Sequence, residues 1–422
     1  MKTRSLAAAL LLSLLARPAP GAREAECAPG EGPELLAARA QWYVATFGVN
    51  GVFDPQRKLE ALRASYTDYL RERARRRPEA IAAGAFRFVG PANGAGRTPA
   101  VELHPTDPNV VYVGAAGGGC WKSTDAGATW RALTDGLGDL SVGAVAVAPS
   151  DPFVVYLGSG EGGYAGDFVP GVGIFRSTDG GETWTLPPFV ASPFVYRLSV
   201  DPRDARTLLA MTHGGALLST DGGTSFTPVS DPMWGDAVDV ARDPANPDVV
   251  HATFWRFFAP DETGRYARST DGGRTWREVV TGLPTGPKGR MSLAISSDGR
   301  TLYTLIAGPY LGRSQVGLYR SDDGGTSWQS QRVYDPAARA TVDVLGGQGG
   351  YDNTCAVDPD DSQVVLLGGG RLGQWRSTDG GDTVTRVGQA DGVHVDVHQL
   401  VVRRYGAAKV AWSANDGGVW SS

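Results

Sequence analysis

The sequence predicts an all-β fold: a seven-bladed β-propeller of four-stranded antiparallel blades, preceded by a short helical N-terminal segment. Three observations predict it. Glycine supplies 58 of 422 residues, about twice the usual share of about 7 % and without a collagen period, so the chain must make many tight turns between short strands. One eight-residue pattern recurs six times: STDAGATW (123–130), STDGGETW (177–184), STDGGTSF (219–226), STDGGRTW (269–276), SDDGGTSW (321–328) and STDGGDTV (377–384). Its spacing averages about 51 residues, a period that marks an array of structural units. A second pattern precedes most copies by about 18 residues, as in HPTDPNVVYVG from 104, APSDPFVVYLG from 148 and VDPDDSQVVLL from 357. Each unit therefore reads strand, Asp-Pro or Asp-Gly turn, strand, variable loop, strand, Asp-Gly-Gly turn, strand. That is one propeller blade.

The elements follow in order. Residues 1–22 carry Lys2 and Arg4, an apolar run from Leu6 to Ala16, and the small residues Ala19-Pro20-Gly21. This is the layout of a signal peptide, and the run is shorter than the roughly 20 residues that span a bilayer. The expected location is extracellular or periplasmic, with no membrane insertion. Cys27 follows Glu26 rather than a small residue, which argues against lipid attachment there. Residues 23–85 form the helical segment: PELLAARAQWYVATF and DPQRKLEALRASYTDYLRERARRR place apolar residues at helical spacing, and Pro78 closes the second run. The cluster Arg71, Arg73, Arg75, Arg76 and Arg77 reads as a solvated helix end. The propeller occupies 86–422.

Within each repeat the third-position aspartate can accept from backbone amides while the glycines supply positive φ and the last aromatic wedges against a neighbouring blade. Asp125, Asp179, Asp221, Asp271, Asp323 and Asp379 are on this reading structural. Phe226 and Val384 replace the final Trp, as a packing role allows.

The last residues, KVAWSANDGGVWSS, align with the strand that leads into a repeat turn, which makes Ser422 the first residue of a seventh copy. Two readings remain. The propeller is truncated at its C-terminus, the preferred one, or the missing outer strand is FRFVG (86–90), closing the ring from the N-terminal side. Both give seven blades.

The pattern Ser-x-Asp-x-Gly-x-Thr-Trp resembles the Asp-box, or bacterial neuraminidase repeat, found in sialidases, xyloglucanases, sortilin-type propellers and other secreted bacterial proteins. The resemblance implies the propeller fold; it does not imply one activity, because the box sits on propellers with and without enzymes. A sialidase would carry an Arg-Ile-Pro segment near the first blade, and the nearest string here is Phe86-Arg87-Phe88-Val89. A xyloglucanase of this kind clasps its glucan between two propellers, and this chain holds one.

Antiparallel strands alternate direction, so the turns between first and second strands share a face with the boxes, and the variable loops share the other face with the crossovers between blades. Binding groups belong on variable loops of a rigid scaffold. The blade-2 loop brings Glu161, Tyr164 and Asp167; blade 4 brings Trp255, Phe257, Phe258 and Tyr266 beside Asp261 and Glu262; blade 5 adds Tyr310 and Arg313. Crossovers bring Arg97, Asp236, Asp239, Arg290 and Asp352 to the channel. Segment 393–400, VHVDVHQL, reads as the first strand of blade seven, with His394, Asp396 and His398 on one face by alternation. Neighbours two apart on that face, about 7 Å, are close enough to share a metal, whereas the two histidines, about 13 Å apart, could not both ligate one ion on a straight strand; a polar channel lining is the preferred reading and no metal or cofactor is expected.

The net charge of −5 argues against nucleic acid. Three cysteines, Cys27, Cys120 and Cys355, are too few for a disulfide framework, and Cys120 and Cys355 sit in strand-like segments as core thiols. The Gly-Gly pairs lie between strands, not before helices, so phosphate loops are unsupported. The function expected is a secreted, non-catalytic propeller binding an extracellular glycan or peptide through Arg97, Tyr164, Trp255, Arg290, His394 and His398. The alternative is a glycoside hydrolase, xyloglucanase-like rather than exo-sialidase, using two channel-face carboxyl groups from Glu161, Asp236, Asp239 and Asp396.

Overall fold

The computed structural model describes residues 41, 45–49, 52–54, 56–58, 60, 61, 64 and 96–422, other than 163–167, 186–191, 257–262, 310–313 and 390–391. Residues 1–22, expected to be a signal peptide, together with Cys27, the arginine cluster at 71–77 and FRFVG, lie outside the described residues. So do Tyr164, Asp167, Phe257, Phe258, Asp261, Glu262, Tyr310 and Arg313.

Seven antiparallel sheets follow one another along the chain, each pairing its strands in sequence order, which is the meander of a propeller blade. The strands of each blade are called a to d from the channel outward. Blades one, three, four, five and six have four strands each. In blade two the fourth position is held by a bridge between Arg176 and Thr185. Blade seven runs Val397–Tyr405, Ala408–Asn415 and Gly418–Ser421. The a strands of successive blades touch right round the ring, blade seven meeting blade one, so they form the channel wall.

The boxes behave as their composition dictates. In blade two, Ser177 Oγ donates to Asp179 Oδ1 at 2.7 Å, and Asp179 also accepts from the Thr183 amide at 2.9 Å and hydroxyl at 2.6 Å. Those three donors hold the Asp179 carboxyl down at about 2. Each box also donates an amide to the a–b turn of its own blade, as Gly180 does to Phe153 O and Gly272 to Asp248 O. This puts the boxes and the a–b turns on one face and leaves the variable loops and crossovers on the other. The final aromatics fill the gaps between blades. Trp184 packs in a cluster with Tyr112 of blade one, Trp276 stands edge-on to Phe254, and Val384 is buried where a Trp would stand. Cys120 and Cys355 are buried free thiols.

Two sequence expectations change. The N-terminal segment also contains a two-stranded hairpin, Gly48–Val49 with Val52–Phe53, a pairing too short for periodicity to reveal. The first strand of blade seven begins at Val397 rather than Val393, because Asp396 adopts φ +61° and breaks the extended run. Among the described residues no helix is long and apolar enough to cross a membrane.

Candidate functional site

The loop face converges on a cavity of about 40 Å³ at the channel mouth, lined by Glu161, Tyr196, Arg197, Arg290, Tyr351 and His398 among others. That volume holds a few waters, not a sugar ring. A ligand of any size must therefore lie across the mouth.

Strand ends and crossovers from opposite sides of the ring build a continuous polar chain here. The blade-2 loop supplies Glu161, whose Oε2 lies 3.2 Å from Arg97 Nη2. Arg97 Nη1 donates to Tyr351 Oη at 2.8 Å, and the Tyr351 hydroxyl faces Asp416 Oδ1 at 3.2 Å. Asp416 Oδ1 lies 2.6 Å from His398 Nε2, and His398 Nδ1 lies 3.3 Å from Asp352 Oδ1. The Asp396 and Asp416 carboxyl groups also bear on Asp352 through their charge. Tyr351 also packs edge-on against the His398 ring at 4.8 Å, and Arg290 donates to the Tyr351 carbonyl.

The electrostatics divide this chain. Asp352 is fully buried, and burial with the neighbouring Asp396 and Asp416 charges pushes its pKa far above the carboxylate range. Burial and the Asp416 charge also raise Asp396. Burial pulls the other way on Asp416, but the His398 hydrogen bond, together with Arg97 and Tyr351, holds it below its ordinary value. Burial lowers His398, which stays neutral near pH 7. Two carboxyl groups at the mouth thus face solvent, the Asp396 side chain 19 % exposed and that of Asp416 29 %, with pKa values moved in opposite directions.

The other predicted residues are placed as follows. Asp236 is buried, 2.8 Å from His213 Nδ1, and accepts from the Tyr196 hydroxyl at 2.9 Å. Asp239 accepts from the Leu293 amide at 2.9 Å and lies 3.6 Å from Arg197 Nε. Trp255, expected to present a ring to a ligand, is buried against Val238 and Tyr196, and Tyr266 is buried beside Trp328. Trp255 closes the second strand of blade four, Tyr266 lies within the third, and both point inward, as alternation in a doubly covered strand allows. His394 is turned out, its Nδ1 2.6 Å from the Val395 carbonyl and 4.0 Å from Asp396. The broken strand thus separates His394 from His398, and among the described residues no group of three or more His, Cys, Asp or Glu is arranged to hold a metal. Reading the sequence missed Asp416 and Tyr351. Asp416 sits in Asn-Asp-Gly-Gly, which imitates a box; the missing Ser-Thr before it is the signal that it is a b–c turn instead.

A family model for the BNR/Asp-box repeat matches residues 175–186. With seven blades and six boxes already in place, the repeat decides the family. The chain is a BNR/Asp-box β-propeller. Among curated proteins it is similar to a xyloglucanase of Paenibacillus sp., 31 % identical over 339 residues, which cover 71 % of this chain and 32 % of the relative. The BNR propeller thus spans about a third of the curated relatives it matches. Among solved structures it is similar to the GH74 xyloglucanase from Xanthomonas campestris (TM-score 0.58, 22 % identity, 78 % of this chain and 52 % of that one). It is also similar to YCF48 from Cyanidioschyzon merolae (TM-score 0.53, 16 % identity, 78 % and 96 %). At those identities the structural likenesses show the fold. The expectation of a non-catalytic binding propeller is overturned, because the matched curated relatives are named xyloglucanases, which are hydrolytic enzymes. The glycoside-hydrolase alternative fits them better.

Proposed function

We propose that this BNR propeller is a glycoside hydrolase acting on an extracellular glucan of the xyloglucan type, with Asp396 as general acid and Asp416 as general base. The observation that carries the roles is the divergence of two solvent-facing carboxyl groups at one channel mouth, one raised and one lowered. A pair whose environments separate their pKa values is how acid and base work is divided between two carboxyls. The substrate class comes from what the curated relatives are named for.

In this scheme the glucan lies across the mouth. Asp396, protonated, gives its proton to the departing glycosidic oxygen. Asp416 holds a water whose oxygen bonds the anomeric carbon as the carboxylate takes its proton. Its Oδ1 is already engaged by His398 and Tyr351, which orients the group and dulls it as a nucleophile, so inversion is the expected stereochemistry. Incubating the protein with xyloglucan, mixed-linkage β-glucan and sialosides, with new reducing ends counted and the first-formed anomer read by proton NMR, tests this. Release from xyloglucan that falls about 10²–10⁴-fold in Asp396→Asn and in Asp416→Asn supports it. Silence of the native protein on every glycan removes it.

A further inference from the structure

A guanidinium only donates hydrogen bonds, and this sets the direction of the contacts that Tyr351 makes between Arg97 and Asp416. Arg97 Nη1 lies 2.8 Å from Tyr351 Oη and is the donor there. The hydroxyl oxygen accepts from Arg97, so its own proton has to go elsewhere. Among the described residues it meets the Asp416 carboxylate, with Oδ1 at 3.2 Å and Oδ2 at 3.3 Å. An ionised carboxylate only accepts, so His398 Nε2, 2.6 Å from Oδ1, also donates. Oδ1 therefore has His398 and Tyr351 on it, whereas Oδ2 has only its longer share of the Tyr351 hydroxyl among the described residues.

We propose that Arg97 and Tyr351 are positioning residues for Asp416. Arg97 fixes the rotation of the Tyr351 hydroxyl, the hydroxyl donates to the carboxylate, and Oδ2 is left as the oxygen that takes the proton from water. The catalytic part rests on Asp416 being the general base. Tyr351 cannot swing away: the Arg97 guanidinium stands 5.7 Å from its ring centroid, and the His398 ring meets it edge-on at 4.8 Å. Arg290 donates to its carbonyl. At 6 % exposure Tyr351 acts through Asp416 rather than on a glycan lying across the mouth. Arg97 is held in turn by Glu161, whose Oε2 lies 3.2 Å from Nη2. Glu161 is fixed by its backbone, which exchanges a pair of 2.8 Å hydrogen bonds with Val169. The blade-2 loop and the crossovers into blades one and six thus converge on one carboxylate in the b–c turn of blade seven.

The groups facing Asp416 give the sign of the effect. Burial pushes Asp416 up, and His398, Arg97 and Tyr351 more than reverse it. The Asp352 and Asp396 carboxyls face it from the other side, and Arg290 acts on Asp352 behind them. A general base works only as the carboxylate, so the acidic limb of kcat/KM marks the pH at which Asp416 takes up a proton. Removing a donor or a cation that favours the carboxylate moves that limb to higher pH.

The test is the pH dependence of kcat/KM on xyloglucan for the native chain, Tyr351→Phe, Arg97→Gln and the double variant. Tyr351→Phe keeps the ring, loses the donor and moves the acidic limb up by about one pH unit, while the basic limb stays in place. Arg97→Gln moves the same limb at least as far, since a cation is lost as well. The double variant moves it by less than the two single shifts added, because Arg97 works in part through the hydroxyl that Tyr351→Phe removes. A purely structural role would lower the whole profile without moving a limb. Carbon NMR of protein labelled at the aspartate carboxyls, with the Asp416 signal assigned by Asp416→Asn, reads the same titration without substrate. The Asp416 pKa rises in both single variants. An Asp416 pKa that stays put in Tyr351→Phe overturns the proposal, and an additive double variant overturns the link from Arg97 through Tyr351. A pKa that rises while the acidic limb does not move removes Asp416 as the base and leaves its positioning intact. A native protein that hydrolyses no glycan removes the hydrolytic reading alone, and the NMR titration then decides the proposal.

Discussion

Trp130 of the first blade stands edge-on against Trp412 of the last, ring centroids 6.3 Å apart and planes at 87°. The contact closes the ring, and the polar side of the same seam is Thr98, whose amide donates to the Asn415 carbonyl at 3.1 Å. Val101, Leu103, Val111 and Ala414 fill the space around the two indoles. Closure here joins residues some 280 positions apart in sequence, so nothing local can substitute for it. Trp412→Ala is expected to cost about 3–5 kcal/mol in denaturant unfolding, because Trp412 is 5 % exposed and its removal leaves a void. A loss under about 1 kcal/mol would mean that blades one and seven are held chiefly by backbone hydrogen bonds.

The paired glycines of the blade-5 box separate backbone strain from crowding. Gly324 and Gly325 both have positive φ, +67° and +78°. A Cβ on Gly324 would meet nothing nearer than the Gly299 carbonyl oxygen at 3.7 Å, whereas one on Gly325 would lie 1.9 Å from Tyr266 Oη. That hydroxyl is tied to His251 Nδ1 at 2.6 Å in the core and cannot step aside. Gly324→Ala should cost about 1–2 kcal/mol from its conformation alone, and Gly325→Ala clearly more, by thermal unfolding of the two side by side. Equal losses would show that strain, not the buried tyrosine, governs the position.

The blades were legible in the sequence because a box is a local device: its serine, aspartate, glycines and threonine bond one another within about five residues. The site was only partly legible, because it is made between blades. Arg97, Glu161, Arg290, Asp396 and His398 could be named as channel-side residues, yet nothing in their spacing says that Tyr351 joins Arg97 to Asp416 from across the ring. Alternation failed at Asp396, where a positive φ ends the extended run that the pattern VHVDVHQL implies. It misled again at Trp255, where an aromatic in a loop-like string turned out to be the buried end of a strand.

Lys58 fastens the N-terminal segment to the loop face. Its ammonium, largely buried, lies 3.1 Å from Asp139 Oδ2 and donates to the Pro170 carbonyl at 2.6 Å. Pro170 follows Val169, which is bridged to Glu161, so the anchor reaches the loop that supplies one end of the polar chain. Lys58→Met strands the Asp139 carboxylate in a site where, among the described residues, Ser141 is the donor left to it. Removing one partner of a buried pair costs about 3–5 kcal/mol. Limited proteolysis should cut within 41–64 faster in Lys58→Met, and amide exchange should quicken at 168–171. Unchanged cleavage would show that the segment is held by something other than this contact.

His213 and Asp236 give the fold a pH-dependent brace with a sign that can be worked out. Burial alone would lower His213, but the Asp236 carboxylate 2.8 Å away outweighs it and the pKa is raised. Asp236 is lowered: burial pushes up, and His213, the Gly214 amide and the Tyr196 hydroxyl more than reverse it. A raised histidine contributes stability that is fully present below its unfolded value of about 6.5 and is lost as pH rises through the folded value. A lowered aspartate contributes above about 3.9 and loses that contribution as pH falls through its folded value. The pair is therefore strongest between about pH 4 and 6.5. His213→Gln should narrow the gap to the native protein as pH rises: the difference in Tm is larger at about pH 5.5 than at about pH 8. A gap that stays constant across that range would mean that His213 is neutral in the folded state and serves Asp236 only as a hydrogen-bond donor. In that case Tyr196, which lines the channel mouth and leans on the same carboxylate, would be held equally firmly at either pH.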